Sequence, residues 1–202
     1  CSSDLGIDLV VRTALRTALA CLSLAVVACG GAEWRVIKQA SPNPFAGHAS
    51  FAVLPVDYAG LKIGTMTEAD YVATKSDETK ESFEGDKDAI SEKFATALLV
   101  RANEQGLAVE LASGRVAAPF LIRPHVDFIE PGSPLMGLGP NSEVHMRVVI
   151  ETAEGKRLDV IELRHETPAS SWATVSSGQR VREDAAAIGE ALAEYLVRRT
   201  DG

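Results

Sequence analysis

Apolar residues recur along the chain in two distinct patterns, and these patterns predict its elements. Residues 50–57, 107–111, 119–129, 142–151 and 158–166 form short apolar or alternating runs typical of strands. The segments 86–105 and 180–199 instead carry apolar residues at helical spacing. Asp86 is the expected N-cap of the first helix and Gly106 its expected stop. The order strand, helix, four strands, helix predicts one domain over residues 50–202.

The alternation in residues 142–151 shows which side of the sheet is covered. Val144, Met146, Val148 and Ile150 alternate with a mostly polar set, which is Glu143, His145, Arg147 and Val149. Two amphipathic helices are enough to cover one face of a small sheet. We therefore predict an α/β (α+β) two-layer sandwich, a mixed four- to five-stranded sheet with two helices on one face. Its other face is expected to be open and polar.

Two segments lack clear periodicity. Residues 58–85 are polar and rich in acidic side chains, and we interpret them as a long surface insertion in the domain. Residues 29–49 contain Gly30-Gly31 and Ser41-Pro42-Asn43-Pro44 and are predicted to form a tether. Fully extended, a tether of about 20 residues reaches at most about 65–70 Å. Folding of the apolar stretch 34–37 onto the domain would shorten that reach.

The first part of the chain has the layout of a secretory signal. Arg12 and Arg16 precede the uncharged apolar run 18–28, which is too short to cross a bilayer. The sequence Val26-Val27-Ala28-Cys29-Gly30 then resembles the bacterial lipoprotein signal. That resemblance implies a signal peptide at 1–28, cleavage before Cys29 and attachment of lipid, such as palmitate, to its sulfur. An ordinary secretory signal and a buried helix are the alternatives.

The location follows from the same resemblance. Gly30 stands where an Asp would retain an enteric lipoprotein in the inner membrane. The resemblance therefore implies the outer membrane, on its periplasmic side, with exposure on the cell surface left open. Of the three cysteines, Cys29 would carry the lipid, and Cys1 and Cys21 fall within the predicted signal peptide. The exported domain would therefore hold no free thiol, disulfide or Cys-based metal site.

The net charge of the chain limits the classes of partner that it can be expected to bind. The formal net charge is −8, and the acids and bases of residues 1–28 cancel, so the excess belongs to the predicted domain. An acidic domain is repelled by phosphate backbones, which argues against nucleic-acid binding. Anionic headgroups repel it as well, so a lipid anchor is the expected means of membrane attachment.

The open sheet face is the first candidate for a function. Arg123, His125 and Asp127 alternate on one predicted strand, and Glu143, His145 and Arg147 on the next. A solvated surface, a partner-binding face and a metal site all fit this pattern. Arg123, His125, His145 and Arg147 are our candidates for partner contact.

A Gly/Pro-rich loop is the second candidate. Leu135, Met136 and Leu138 stand between structure-breaking residues, and apolar side chains on a loop often mark a contact site. Burial of the loop against the domain is the alternative. Trp172, in a run of small residues, is either a core aromatic or a stacking platform for a small ligand.

Catalytic motifs are incomplete. His165-Glu166 begins like a zinc-protease motif, but Ala169 stands where the second His is required. Gly132-Ser133-Pro134 and Ser176-Ser177-Gly178 lack the pattern of a nucleophile elbow. We therefore expect no enzyme activity and no cofactor.

The order and spacing of the elements resemble a known group of envelope proteins. Residues 52–56 (Ala-Val-Leu-Pro-Val), the helix ending at Gly106, the run 120–124 and the Ala-rich last helix are similar to the amino-terminal domain of TolB. The lipoproteins that activate penicillin-binding proteins share that domain shape. The resemblance implies a non-catalytic, lipid-anchored accessory protein that binds another envelope protein. A carrier or sensor for a small envelope ligand is the alternative function.

Overall fold

The described residues, 31–112, 118–132, 139–169 and 177–201, form a two-layer α/β sandwich in a computed structural model. In chain order its elements are β1 (Glu33–Lys38), β2 (Ser50–Val53), β3 (Lys62–Ile63), β4 (Met66–Thr67), α1 (Glu68–Ala73), α2 (Asp77–Glu104), β5 (Ala108–Leu111), β6 (Phe120–Glu130), β7 (Ser142–Thr152), β8 (Arg157–Thr167) and α3 (Ser177–Thr200). The mixed α/β class is confirmed. The prediction of four to five strands and two helices is wrong, because this part of the chain forms eight strands and three helices.

The sheet is built around three long strands. β6, β7 and β8 have 11 residues each. β6 pairs antiparallel with β7, and β7 pairs antiparallel with β8. β1 extends this unit at one edge, antiparallel to β8. On the other side β2 lies parallel to both β6 and β5, giving the order β1-β8-β7-β6-β2-β5, with β3 beside β6 and β4 beside β3. A parallel pair needs a crossover, and the segment with α1 and α2 provides it between β2 and β5.

The core lies between the sheet and the helices. Val144, Met146, Val148 and Ile150 are all buried, as the alternation predicts. The predicted stripe on α3 is buried as well, and it consists of Val181, Ala185, Ile188, Leu192 and Leu196. Burying a large apolar side chain contributes roughly 1.5–3 kcal/mol, so this shared core is the main stabilising feature of the domain.

Helix α2 starts earlier than the sequence predicts. Ser76 is its N-cap, with Oγ accepting a hydrogen bond from the Thr79 N–H at 3.4 Å. Asp86 is therefore an interior residue and not the cap, and its carboxylate accepts a hydrogen bond from Arg182 of α3 at 2.7 Å. The predicted stop is confirmed, because Gly106 has φ +80° and the N–H of Leu107 bonds back to Ala102 at 2.9 Å.

The segment 58–85 is more than a surface insertion. It contains β3, β4, α1 and the first residues of α2. Leu61 and Ile63 are buried, and Phe83 packs on Tyr71 with ring centroids 5.4 Å apart. Its many acidic side chains face water, and these few apolar residues are enough to fix it to the core.

Part of the segment predicted as a tether also belongs to the domain. β1 takes residues 33–38 into the sheet, so the stretch 34–37 does fold onto the domain. The Trp34 ring meets Tyr195 of α3 edge-on at 6.4 Å, and the Arg198 guanidinium lies 4.8 Å from its centre. Phe45 is fully buried.

Candidate functional site

One face of the sheet carries charged side chains, whereas the described helices pack against the other. We call it the open face, and it is formed by Glu33, Arg35, Arg123, His125, Asp127, Phe128, His145, Arg147, Glu162 and Arg164. The four predicted contact residues lie together here. Their side chains are exposed by 52% for Arg123, 26% for His125, 40% for His145 and 47% for Arg147.

A ladder of ion pairs and His–carboxylate contacts crosses the open face from β1 to Asp57, which follows β2. Its members, in order, are Arg35, Glu162, Arg147, Asp127, His125 and Asp57. The successive separations are 2.5, 3.8, 3.5, 3.2 and 3.1 Å. Its residues come from the four strands β1, β8, β7 and β6. Residues paired across neighbouring antiparallel strands lie on the same face of the sheet, so their side chains can meet. Asp57 follows β2 and closes the ladder against β6.

Asp57 is held in its ionised form by local hydrogen bonds. The backbone N–H of Ala59 donates to its carboxylate at 3.0 Å, and the His125 ring lies 3.1 Å from the other oxygen. These contacts lower the pKa of Asp57 below its ordinary value of 3.8, the Ala59 bond contributing most. The end of the ladder is therefore negative at neutral pH.

Other pairs flank the ladder. Arg164 donates twice to Glu33 across β8 and β1, at 2.6 and 2.9 Å. His145 lies 2.6 Å from Glu143. At the far end Arg123 donates to Glu151 at 2.7 Å, and Glu151 is buried.

A β-bulge in β6 turns an aromatic side chain onto this polar face. Val126 pairs with Met146 and Phe128 with His145, so Asp127 is the extra residue. Strict alternation from His125 would place Phe128 in the core and Ile129 outside. The bulge reverses both, since Ile129 is buried and the Phe128 ring lies 4.8 Å from His145. Sequence reasoning missed Phe128 because nothing in the local pattern marks the bulge.

A groove of about 660 Å³ runs along the open face. Its lining includes Arg35, Lys62, Phe128, His145, Arg147 and Arg164. Lys62 comes from β3, where it pairs with Phe128. The described ranges hold no group of three or more His, Cys, Asp or Glu side chains placed to bind a metal ion.

A second polar cluster lies on the core side and combines Ser, His and Asp. Asp184 of α3 is fully buried, with Oδ2 accepting from Ser142 at 2.7 Å and Oδ1 accepting from Thr167 at 2.6 Å. His165 Nδ1 lies 2.7 Å from Oδ1. Ser142 thus bonds to the carboxylate instead of the imidazole and is itself fully buried. A nucleophilic relay needs the opposite order, so this cluster fastens α3 to β7 and β8.

Several residues singled out in the sequence lie outside the described residues: Cys29, Leu135, Met136, Leu138 and Trp172. Among the helices that are described, none has the length and apolar character needed to cross a bilayer.

No protein-family model and no curated protein matches this chain. Solved structures similar to it include a PelC dodecamer from Paraburkholderia phytofirmans, at 11% identity over 80% of this chain and 96% of the PelC chain, with a TM-score of 0.42. Another is the protein XCC0632 from Xanthomonas campestris, of family model DUF330, at 10% identity over 82% and 93% of the chains, with a TM-score of 0.44. Likenesses this distant carry no argument about function. The resemblance to the TolB amino-terminal domain stays a prediction.

Proposed function

We propose that the protein is a non-catalytic accessory protein of the bacterial envelope that binds another envelope protein through the open face. In this proposal Cys29 carries the lipid, and the domain lies on the periplasmic side of the outer membrane. The observation that carries the proposal is the ion-pair ladder across an exposed sheet face.

The ladder is poorly explained by stability alone. Exposed ion pairs contribute about 0–1 kcal/mol each, and salt screens them. Ordered charges of alternating sign do more for recognition, because they select partners with matching charges and speed their encounter. Phe128 adds a partly buried aromatic ring to this surface, and aromatic and Arg side chains are enriched at the centres of protein interfaces.

A carrier or sensor for a small envelope ligand is the alternative. The groove favours it, since its volume of about 660 Å³ falls in the range of ligand sites, roughly 300–1,000 Å³. Such sites are mostly apolar, however, and this lining is mostly charged. The partner-binding function therefore has the stronger support.

The test is in-cell crosslinking and affinity purification of the full chain, followed by mass spectrometry of proteins and lipids. We expect one envelope protein in near-equal amount and a lipid-modified peptide beginning at Cys29. Arg147→Glu should remove the partner while keeping the same thermal unfolding midpoint within a few degrees. Lys93→Glu reverses an exposed charge on α2 and should retain the partner.

Equal recovery of the partner with both variants would contradict binding through the open face. Recovery of a bound small molecule and no protein would favour the carrier or sensor. An unmodified Cys29 would refute the lipid anchor by itself and leave the binding proposal standing.

A further inference from the structure

The cations of the open face differ in their distance from the nearest carboxylate oxygen. Arg164 makes two short hydrogen bonds to Glu33, and Arg35 lies 2.5 Å from Glu162. The carboxylate oxygens nearest to Arg147 are 3.5 and 3.8 Å away, at or beyond the limit of a hydrogen bond. Arg147 therefore has donor capacity that its neighbours on the sheet do not use.

Lys62 is the second such cation. It is exposed on β3 and forms no ion pair with the described residues. In the sheet register it stands beside Phe128, while Arg147 lies two residues along β7 from His145, the other neighbour of Phe128. In the sheet register Phe128 thus stands near two cations. Arg147 has only long ion pairs, and Lys62 has none with the described residues.

The groove also carries a small excess of positive charge on an acidic protein. Its cations outnumber its carboxylates by one, the two sets being Arg35, Lys62, Arg147 and Arg164 against Glu33, Asp127 and Glu162. The whole chain has a formal charge of −8, so an anionic group is repelled by much of the surface but not here. One excess charge matches a single carboxylate. A phosphate group, with a charge of about −1.5 to −2, exceeds this single positive charge.

We propose that this groove binds an acidic segment of the partner protein. A partner carboxylate lies between Lys62 and Arg147, and an adjoining apolar side chain packs on Phe128. This inference rests on the proposed function and names the chemistry of the partner.

The experiment is an NMR titration of the ¹⁵N-labelled full chain with acetyl-Leu-Glu-amide, and separately with acetyl-Leu-Gln-amide and inorganic phosphate. We expect the Glu peptide to shift the amides of Lys62, Phe128 and Arg147. Its affinity should exceed that of the Gln peptide about tenfold, as loss of a charged hydrogen bond implies. The double variant Lys62→Gln/Arg147→Gln should weaken the Glu peptide by the same factor. Lys93→Gln, which removes an exposed cation of α2 outside the groove, should change its affinity less than twofold.

Equal affinities for the two peptides would overturn the proposal, and so would an absence of amide shifts. Tighter binding of phosphate than of the Glu peptide would also overturn it, because the site would then prefer a phosphate-bearing ligand. Loss of the cellular partner with Arg147→Glu but not with Lys93→Glu, together with any of these results, would leave binding through the open face intact and refute only the acidic segment.

Discussion

Two buried carboxylates fasten helix α3 to the sheet near its two ends. Asp184, close to the start of α3, is bonded to side chains of β7 and β8. Asp159 of β8 is also fully buried and accepts from Tyr195 at 2.5 Å and Arg199 at 2.8 Å, both near the end of α3. A buried charge is costly unless it is fully hydrogen bonded, so these contacts fix the helix in one position. Sequence reasoning could not find them, since an isolated Asp predicts an exposed residue.

At Asp184 the expected effect on stability is large. Asp184→Ala removes the carboxylate to which Ser142 and Thr167 donate and which His165 contacts. Each lost bond costs about 1 kcal/mol or more, so the free energy of unfolding should fall by about 3 kcal/mol. Urea unfolding measures it. The matched control is Glu183→Ala at the exposed neighbouring position, which should change stability by less than about 0.5 kcal/mol. Similar losses in both variants would contradict the role of Asp184.

At the scale of the elements, helices α2 and α3 approach each other closely at Gly189. A Cβ at Gly189 of α3 would lie 2.4 Å from the Phe94 carbonyl oxygen and 3.0 Å from the Leu98 nitrogen of α2. Because both neighbours are backbone atoms, neither can rotate away. Gly189 therefore sets the distance between the two helices.

Alanine at two helical glycines should have opposite effects. Gly189→Ala is expected to lower the free energy of unfolding by about 1–3 kcal/mol or more, as overpacking does. Gly85→Ala, in α2 with no heavy atom within 4 Å of its added Cβ, should raise it by about 0.5–1 kcal/mol through helix propensity. Thermal or urea unfolding of both variants gives the comparison. A stabilised Gly189→Ala protein would show that the helices are not in close contact there.

The predictability of each element depends on how much of it reaches the core. Strands β6, β7 and β8 and helix α3 were predictable to within a few residues, because their apolar positions repeat. The first turns of α2 were not, since only Phe83 is buried before Ile90 and the segment depends on its Ser76 cap and acidic first turn. β1 is an edge strand and β3 has only two residues, so pairing decides their structure more than pattern does.

At the scale of the whole molecule, one partly buried and one buried phenol limit stability at high pH. Burial is the main cause that raises the pKa of Tyr58 to about 12 from its ordinary value of 10.0, and its hydroxyl donates to the Lys87 carbonyl at 2.8 Å. Burial, followed by the bond to Asp159, also raises the pKa of Tyr195. The folded state keeps these protons while the unfolded chain loses them. Stability is thus fully present below pH 10 and declines as the pH rises toward 12.

Tyr58→Phe should make this decline smaller. Its free energy of unfolding should be about 1 kcal/mol lower than that of the native protein at pH 8, because a hydrogen bond is lost. The difference should shrink between pH 10 and 12, where the phenol no longer favours the fold. Urea unfolding across this pH range tests it, with Tyr71→Phe as a second tyrosine variant. A difference that stays constant with pH would contradict the assignment to Tyr58.

The candidate site was predictable in part. Arg123, His125, His145 and Arg147 were found because they alternate with apolar residues on long strands. Arg35, Glu162, Lys62 and Phe128 were not, although they complete the ladder and the groove. Arg35 and Lys62 depend on strand pairing, and Phe128 depends on the bulge in β6. No short pattern in a single sequence records which strands become neighbours.

The placement of β1 has a mechanical consequence. β1 begins at Glu33, beside the end of β8, whereas α3 ends at the opposite end of the sheet, where Arg199 reaches the Ala40 carbonyl. Tension applied between residue 31 and residue 201 would therefore load the β1–β8 pairing in shear, along the strand axes. The hydrogen bonds of the five paired positions would share the load and would not open one after another. A domain pulled in this direction resists force better than one whose first strand can be peeled away.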